Sequence, residues 1–254
     1  MGRGILKSRR TLIVAAHPDD EVLGAGIWIH RHADTAIHIL HTTDGSPRDM
    51  HTARALGFRS RKAYERARRR ELSKALGMVS VPAKNCTQFT FADKETYWNL
   101  GPLTEQLATL VGRLQPDLIL SPAYEGGHPD HDAAAFAVAF VRQRARSFRH
   151  WEFPLYHANR RGRMITGEFI SHPRRESVLC FSQEEKSLKS RMLACFKTQQ
   201  DMVQRFQVDC ERFRRAPVYD FTQPPHPGRL LYERWEWGIT GADWRLRAAQ
   251  TPAA

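Results

Sequence analysis

The stretch TLIVAAHPDDE, residues 11–21, decides how the chain reads. TLIVAA (11–16) is a short continuous apolar run, the pattern of a buried strand. It carries the chain into His17, Asp19, Asp20 and Glu21, four groups that bind metals or protons. A helix start explains part of this cluster. Proline is preset for the first helical turn, and acidic side chains near that end complement the helix dipole. A metal site explains the imidazole as well, and the flanking sequence has to choose.

Outward from this stretch, apolar runs alternate with amphipathic ones. Residues 20–32 read as a helix and TAIHILHT (35–42) as a second strand ending in the turn TDGSP. Residues 60–77 and 102–114 read as helices, DLILS (117–121) as a buried strand, and 131–145 as another helix. This β-α-β-α order predicts an α/β fold, a mostly parallel Rossmann-like sheet with helices on both faces. Beyond residue 150, WEFPLYHA and ESVLCF read as strands and 183–206 as one long helix. No repeat or low-complexity linker divides the chain. One domain over residues 1–210 is expected, with a C-terminal extension, 211–254, packed on it.

Ligands of open α/β sheets bind at the carboxyl ends of the strands. A second cluster, GGHPDHD (126–132), follows the strand in DLILSPA. Two neighbouring strands would therefore deliver His17, Asp19, Asp20, His128, Asp130 and His131 into one crevice. Helix starts account for Pro18, Asp19 and Asp20, or Pro129 and Asp130, but not for three histidines at one mouth. Two histidines and one carboxylate leave positions open for water and substrate, the catalytic form of a zinc site. Ferrous iron takes the same ligands. Adjacent Asp19 and Asp20 point in different directions, so one can ligate while the other faces a water whose pKa the metal lowers. That combination is a hydrolase.

Bulk properties narrow the rest. No stretch approaches the roughly 20 apolar residues that span a bilayer. The six-residue apolar run behind SRR leads into HPDDE, so no signal peptide is expected. The cysteines at 86, 180, 195 and 210 form no CxxC pair, against a thiolate zinc site or a disulfide framework. A cytoplasmic protein is the natural reading. The net charge of +12 raises nucleic acid or an anionic substrate as partners, but it is spread along the chain without an aromatic RNA-binding signature. Nucleic acid is therefore disfavoured.

AHPDDE followed by a distant HPDH resembles the PIG-L/LmbE family of zinc-dependent N-deacetylases, whose members remove acetyl from N-acetylglucosaminyl groups. Arg68 and Glu71 fit the family's Arg-x-x-Glu, and Lys189, Leu193, Thr198 and Gln199 fit a later helix pattern. The likeness runs from residue 11 to about 200. It implies a Rossmann-like fold, zinc (or Fe2+) as cofactor, and an N-acetylated amino sugar, anionic as a secondary expectation, as substrate. By motif position it implies His17, Asp20 and His131 as metal ligands and Asp19 as general base. His128 is implied as the group that stabilises the oxyanion or protonates the leaving amine, with Asp130 as its orienting partner. The chain departs from the pattern at Gly126, where some relatives have a tyrosine, and at Phe196, where relatives often have a histidine. Another metal-dependent hydrolysis, of a different amide or a phosphoester, is the alternative.

On a helix, Tyr64, Arg68, Glu71 and Ala75 share one stripe, while Arg66, Arg69 and Arg70 face away. Arg68 and Glu71 then form either a structural ion pair or, as the resemblance implies, a site where Arg68 binds substrate. Gly24 and Gly26 do not complete a dinucleotide fingerprint and read as close helix–sheet packing. Tyr219, Tyr232, Trp235, Trp237 and Trp244 in the tail read as core cover first and as sugar-stacking rings second. His226, between prolines, has no evident partner in the sequence.

Overall fold

The computed structural model describes residues 6–145 and 147–251. The first half of the chain runs β1 (Arg10–Ala15), α1 (Asp20–Arg31), β2 (Ala36–Thr43), α2 (His51–Ala55), α3 (Arg61–Gly77), β3 (Cys86–Phe91), α4 (Leu100–Leu114), β4 (Leu118–Pro122) and α5 (Pro129–Arg144). The second half runs β5 (Arg149–Phe153), β6 (Tyr156–Ala158), β7 (Met164–Thr166), β8 (Glu176–Cys180), α6 (Gln183–Leu193), α7 (Gln200–Val203), β9 (Cys210–Arg215), α8 (Leu231–Arg234) and α9 (Gly241–Gln250).

β1 is buried on both faces, which is why it reads as a continuous apolar run and not an alternating one. Ile13 joins the core beneath α1, α3 and α6, whereas Leu12 and Val14 join the core beneath α4 and α5. The seven-stranded sheet has the order β3-β2-β1-β4-β5-β9-β8. β3, β2, β1, β4 and β5 are parallel, and β9 pairs antiparallel with both β5 and β8. The sheet is thus Rossmann-like and mostly parallel, with helices on both faces. The chain winds outward from β1 to β3, then returns to place β4 on the other side of β1. The reversal opens a crevice at the carboxyl ends of β1 and β4, where such sheets take their ligands.

Three sequence readings change. WEFPLYHA is two strands, because Pro154 supplies no N–H for a ladder and the chain turns there. The helix expected over 183–206 stops at Leu193 and resumes as α7. Between them, the Glu71 carboxylate accepts from the Thr198 N–H at 3.0 Å and its hydroxyl at 2.6 Å, drawing that backbone out of the helix. The tail expected from 211 is not only cover, since β9 begins at Cys210, runs to Arg215 and lies inside the sheet.

α1 is kinked at Ala25, whose φ of −146° and ψ of 15° are not helical. The bonds the kink breaks are replaced by a buried ion pair. Lys189 Nζ donates to the carbonyls of Val22 (2.5 Å) and Leu23 (2.9 Å). Glu211 accepts from the Ile27 and Trp28 N–H groups, each at 2.8 Å, and Lys189 and Glu211 meet at 2.6 Å. Gly24 sits against the Phe153 ring so closely that a Cβ would lie 2.1 Å from it. Gly26 makes only ordinary contacts, so the packing reading holds for the first glycine alone.

Candidate metal centre and active-site cleft

The two HPD clusters meet over β1 and β4. Asp20 folds back on its own loop, and its Oδ2 accepts from the N–H groups of Ala16 (2.9 Å) and His17 (2.8 Å). That leaves Oδ1 facing His131 Nε2 at 3.3 Å. His17 Nδ1 lies 3.2 Å from the same His131 nitrogen. Ligand atoms of His17, Asp20 and His131 therefore lie within 4.8 Å of one another, all three residues buried. Burial alone would raise the Asp20 carboxyl, but His131 and His17 outweigh it and hold it well below the usual carboxylate range. This donor set, two imidazoles and a carboxylate at mutual hydrogen-bond distance, fits a divalent cation of the zinc or ferrous class.

Asp19 faces the other way. Its Oδ2 accepts from an Arg68 guanidinium N–H at 3.0 Å. Burial pushes its carboxyl up to about 6, against the opposing pull of Arg68. Arg68 also donates to the Gly45 carbonyl at 2.5 Å. The Arg68–Glu71 ion pair left open by the helix stripe does not form: Arg68 turns to Asp19 and Glu71 to Thr198. Arg66, Arg69 and Arg70 are exposed, as the stripe requires.

His128 caps α5, its Nδ1 accepting from the Asp130 N–H at 3.1 Å. That bond assigns the proton of the neutral ring to Nε2. Burial, then the neighbouring His17, lower the ring's pKa to about 4, so it is neutral. The Asp130 carboxylate lies 3.9 Å from His128, too far for a hydrogen bond; its Oδ2 is 3.3 Å from His17 Nε2, and both oxygens serve the loop after β3. It accepts from the Lys94 N–H (2.6 Å), the Thr96 N–H (3.1 Å) and the Thr96 hydroxyl (2.5 Å).

That loop brings a residue absent from the sequence reading. Asp93 Oδ1 lies 3.1 Å from His17 Nε2 and 3.3 Å from His128 Nε2. Its signal was a carboxylate two residues past an alternating run, CTQFTF, that should have been read as a third strand.

His17, Asp19, Asp20, Arg68, Asp93, His128 and His131 line a cavity of about 660 Å³, with Tyr64, Tyr156, Met202, Trp235 and Trp237 among its walls, while Asp130 lies behind it. The aromatic tail divides its labour. Trp244 is fully buried and donates to the Pro129 carbonyl at 3.1 Å, and Tyr232 is also core. Trp235 and Trp237 stand at the cavity, Trp237 with its ring 5.0 Å from that of His128. Tyr124 is outside the cavity, donating to the Gln223 carbonyl. His226 does not reach the cavity; it lies near His157, ring centroids 6.5 Å apart.

A Rossmann-like sheet with a buried His–Asp cluster at its switch point, opening on a sugar-sized cavity, defines a protein with a candidate metal centre. Residues 12–141 match the PIG-L family model, described as GlcNAc-PI de-N-acetylase, and the chain belongs to that family. It is 30% identical over 139 residues to a probable N-acetyl-alpha-D-glucosaminyl L-malate deacetylase 2 of Bacillus anthracis, a match covering 52% of this chain and 58% of that relative. Among solved structures it resembles the A40926 pseudoaglycone deacetylase Dbv21, with a TM-score of 0.66 and 15% identity over 84% of this chain and 99% of that one. The teicoplanin deacetylase Orf2, described as a zinc-inhibited form, is similar at a TM-score of 0.63 and 15% identity over 81% and 97% of the two chains. At such identity the likeness is one of fold. Among the described residues, no helix is long and apolar enough to cross a membrane.

Proposed function

We propose that this chain is a divalent-metal-dependent N-deacetylase that releases acetate from an N-acetylglucosamine-type amino sugar. The observation that carries the reading is the convergence of His17, Asp20 and His131 beside a second carboxylate, Asp19, which Arg68 holds in place. His17, Asp20 and His131 would hold the cation, zinc first and ferrous iron second. Bound there, it supplies Lewis acidity at the acetamide carbonyl and lowers the pKa of water toward ~7.

Asp19 takes the proton of the attacking water. With its carboxyl raised to about 6 it is ionised at neutral pH, yet a stronger base than an ordinary aspartate. Arg68 aims it and lines the cavity, where it would also contact the sugar. His128, neutral with its proton on Nε2, rests against Asp93 and would turn that N–H to the oxygen that becomes negative as water adds. Asp130 holds His128 through its own N–H. When the C–N bond breaks, the proton taken by Asp19 passes to the departing amine, so water and amide give acetate and ammonium. Trp235 and Trp237 offer faces for the sugar ring.

The charge of +12 is not gathered at the cavity, where Asp19, Asp20, Asp49, Asp93 and Glu236 outnumber Arg68 and Lys94. A neutral sugar is therefore favoured over a phosphorylated one. The four cysteines are free, in keeping with a cytoplasmic setting.

The test is acetate release from neutral and phosphorylated N-acetylglucosaminides, by wild type and Asp19→Asn, each stripped of metal and reloaded with zinc. Zinc-dependent release that falls roughly 100-fold or more in Asp19→Asn, with zinc retained, is expected. A fully active Asp19→Asn protein removes the base; phosphate release in place of acetate moves the chain to phosphoester hydrolysis.

A further inference from the structure

We propose that Asp93 is the positioning residue of the centre, one carboxylate oxygen that sets the tautomer and aim of both His17 and His128. The inference rests on the metal-centre reading above and assigns to Asp93 the one oxygen that both imidazoles share, with Asp130 Oδ2 a second acceptor for His17 Nε2 at 3.3 Å.

Each ring has one nitrogen committed elsewhere. His17 Nδ1 faces His131 and Asp20, the seat of the cation, so it must be the unprotonated nitrogen once a metal is bound. His128 Nδ1 accepts from the Asp130 N–H. Both rings must then carry their proton on Nε2, and both Nε2 atoms turn to the same Asp93 Oδ1, at 3.1 and 3.3 Å. A carboxylate oxygen has two lone pairs and can accept both N–H groups. The His17 arrangement is the carboxylate–histidine–metal relay, which fixes the ring and raises its basicity toward the metal. Here the same oxygen also fixes the proton that His128 points into the cavity.

The loop is built to hold that oxygen still. Lys94, a non-glycine, sits at a φ of +71°, a conformation that side chains seldom adopt. Its N–H is thereby aimed at Asp130 Oδ2, 2.6 Å away, and the two Thr96 donors clamp the other Asp130 oxygen. Asp130, at the start of α5, thus anchors Lys94 and Thr96, and Asp93, next to Lys94, is carried into place between the two rings. The Asp93 side chain is only 12% exposed. The network answers why the Asp130 carboxylate is buried against Lys94, Thr96 and His17 without a direct bond to His128.

The experiment compares Asp93→Ala and Asp93→Asn with wild type in three readouts: zinc affinity by chelator competition, kcat and KM for acetate release at saturating zinc, and the protonated nitrogen of each histidine by 15N NMR. In wild type the Nε2–H form is expected for His17 and His128. Asp93→Ala should weaken zinc roughly 10- to 100-fold, as loss of such partners does elsewhere. It should also lower kcat more than it raises KM, and leave His128 as a mixture of tautomers. Asp93→Asn keeps an acceptor oxygen and should recover most of the zinc affinity. Unchanged zinc affinity with a raised KM alone would make Asp93 a sugar contact and overturn the proposal, as would an Nδ1–H tautomer of His128 in wild type. If wild type releases no acetate, zinc affinity and the NMR tautomers still decide the role of Asp93, while the deacetylase reading fails separately.

Discussion

Replacing Lys189 with methionine should cost this protein much of its stability, although the lysine does not itself line the cavity. Met matches the length of the stem but has no charge. Its loss strands the Glu211 carboxylate, 1% exposed, with only two backbone N–H donors. It also frees the Val22 and Leu23 carbonyls at the kink of α1. Breaking a buried ion pair from one side costs about 3–5 kcal/mol. For a chain of this size each kcal/mol moves the melting temperature by about 2–4 °C, so a fall of roughly 6–20 °C is expected. Removing the stranded charge as well should recover part of the loss. The double variant Lys189→Met, Glu211→Gln should be more stable than the sum of the two single changes by at least about 1 kcal/mol. Urea and thermal denaturation of the four proteins measure this cycle. Additive single costs, or a Lys189→Met protein within about 0.5 kcal/mol of wild type, would refute the view that the pair replaces the broken helix bonds.

Two further outcomes follow from the geometry. His150 is buried against the Ser121 hydroxyl at 2.9 Å, and burial lowers its pKa to about 3. The folded ring stays neutral while the unfolded one takes a proton below about 6.5, so stability is lost as pH falls from 6.5 toward 3. Between pH 7 and 5 the loss is about 2 kcal/mol, and His150→Asn should not show it in urea melts at the two pH values. Gly127→Ala would set a Cβ 1.9 Å from the Tyr156 carbonyl, so the loop bearing His128 has to move. A shift of an ångström in a reacting group can cost ~100-fold, and kcat should fall on that order, with the melting temperature lowered as well because the obstacle is backbone.

The strand ends were legible because β1 and β4 are buried on both faces and their motifs follow directly. The crossing that places β4 beside β1 follows from strand order, and the two HPD clusters meet there as expected, His17, Asp20 and His131 being the set the family resemblance picked out. Asp93 was not legible because β3 is an edge strand, half-buried and polar, and DKE looks like any solvated turn. β9 escaped for a related reason. In CERFRR the buried positions include Glu211 and Arg214, paired in the interior with Lys189 and Glu152, so no apolar period marks the strand. Lys189 matched a motif, yet nothing in the sequence showed that its partner lay in the tail. Polar residues whose partners are distant in the chain are where reading by pattern fails.

The placement of Glu211 sets a schedule for assembly. HPDDE leaves the ribosome early, but the bond from Ile27 to Glu211 closes a loop of 184 residues. Until β9 inserts between β5 and β8, the kinked turn of α1, the helix that Asp20 opens, lacks its substitute partners. Contacts of such separation form late in folding. The first motif to be synthesised is thus among the last to become competent, and a chain released before residue 211 would carry the ligands for a metal without the frame that holds them.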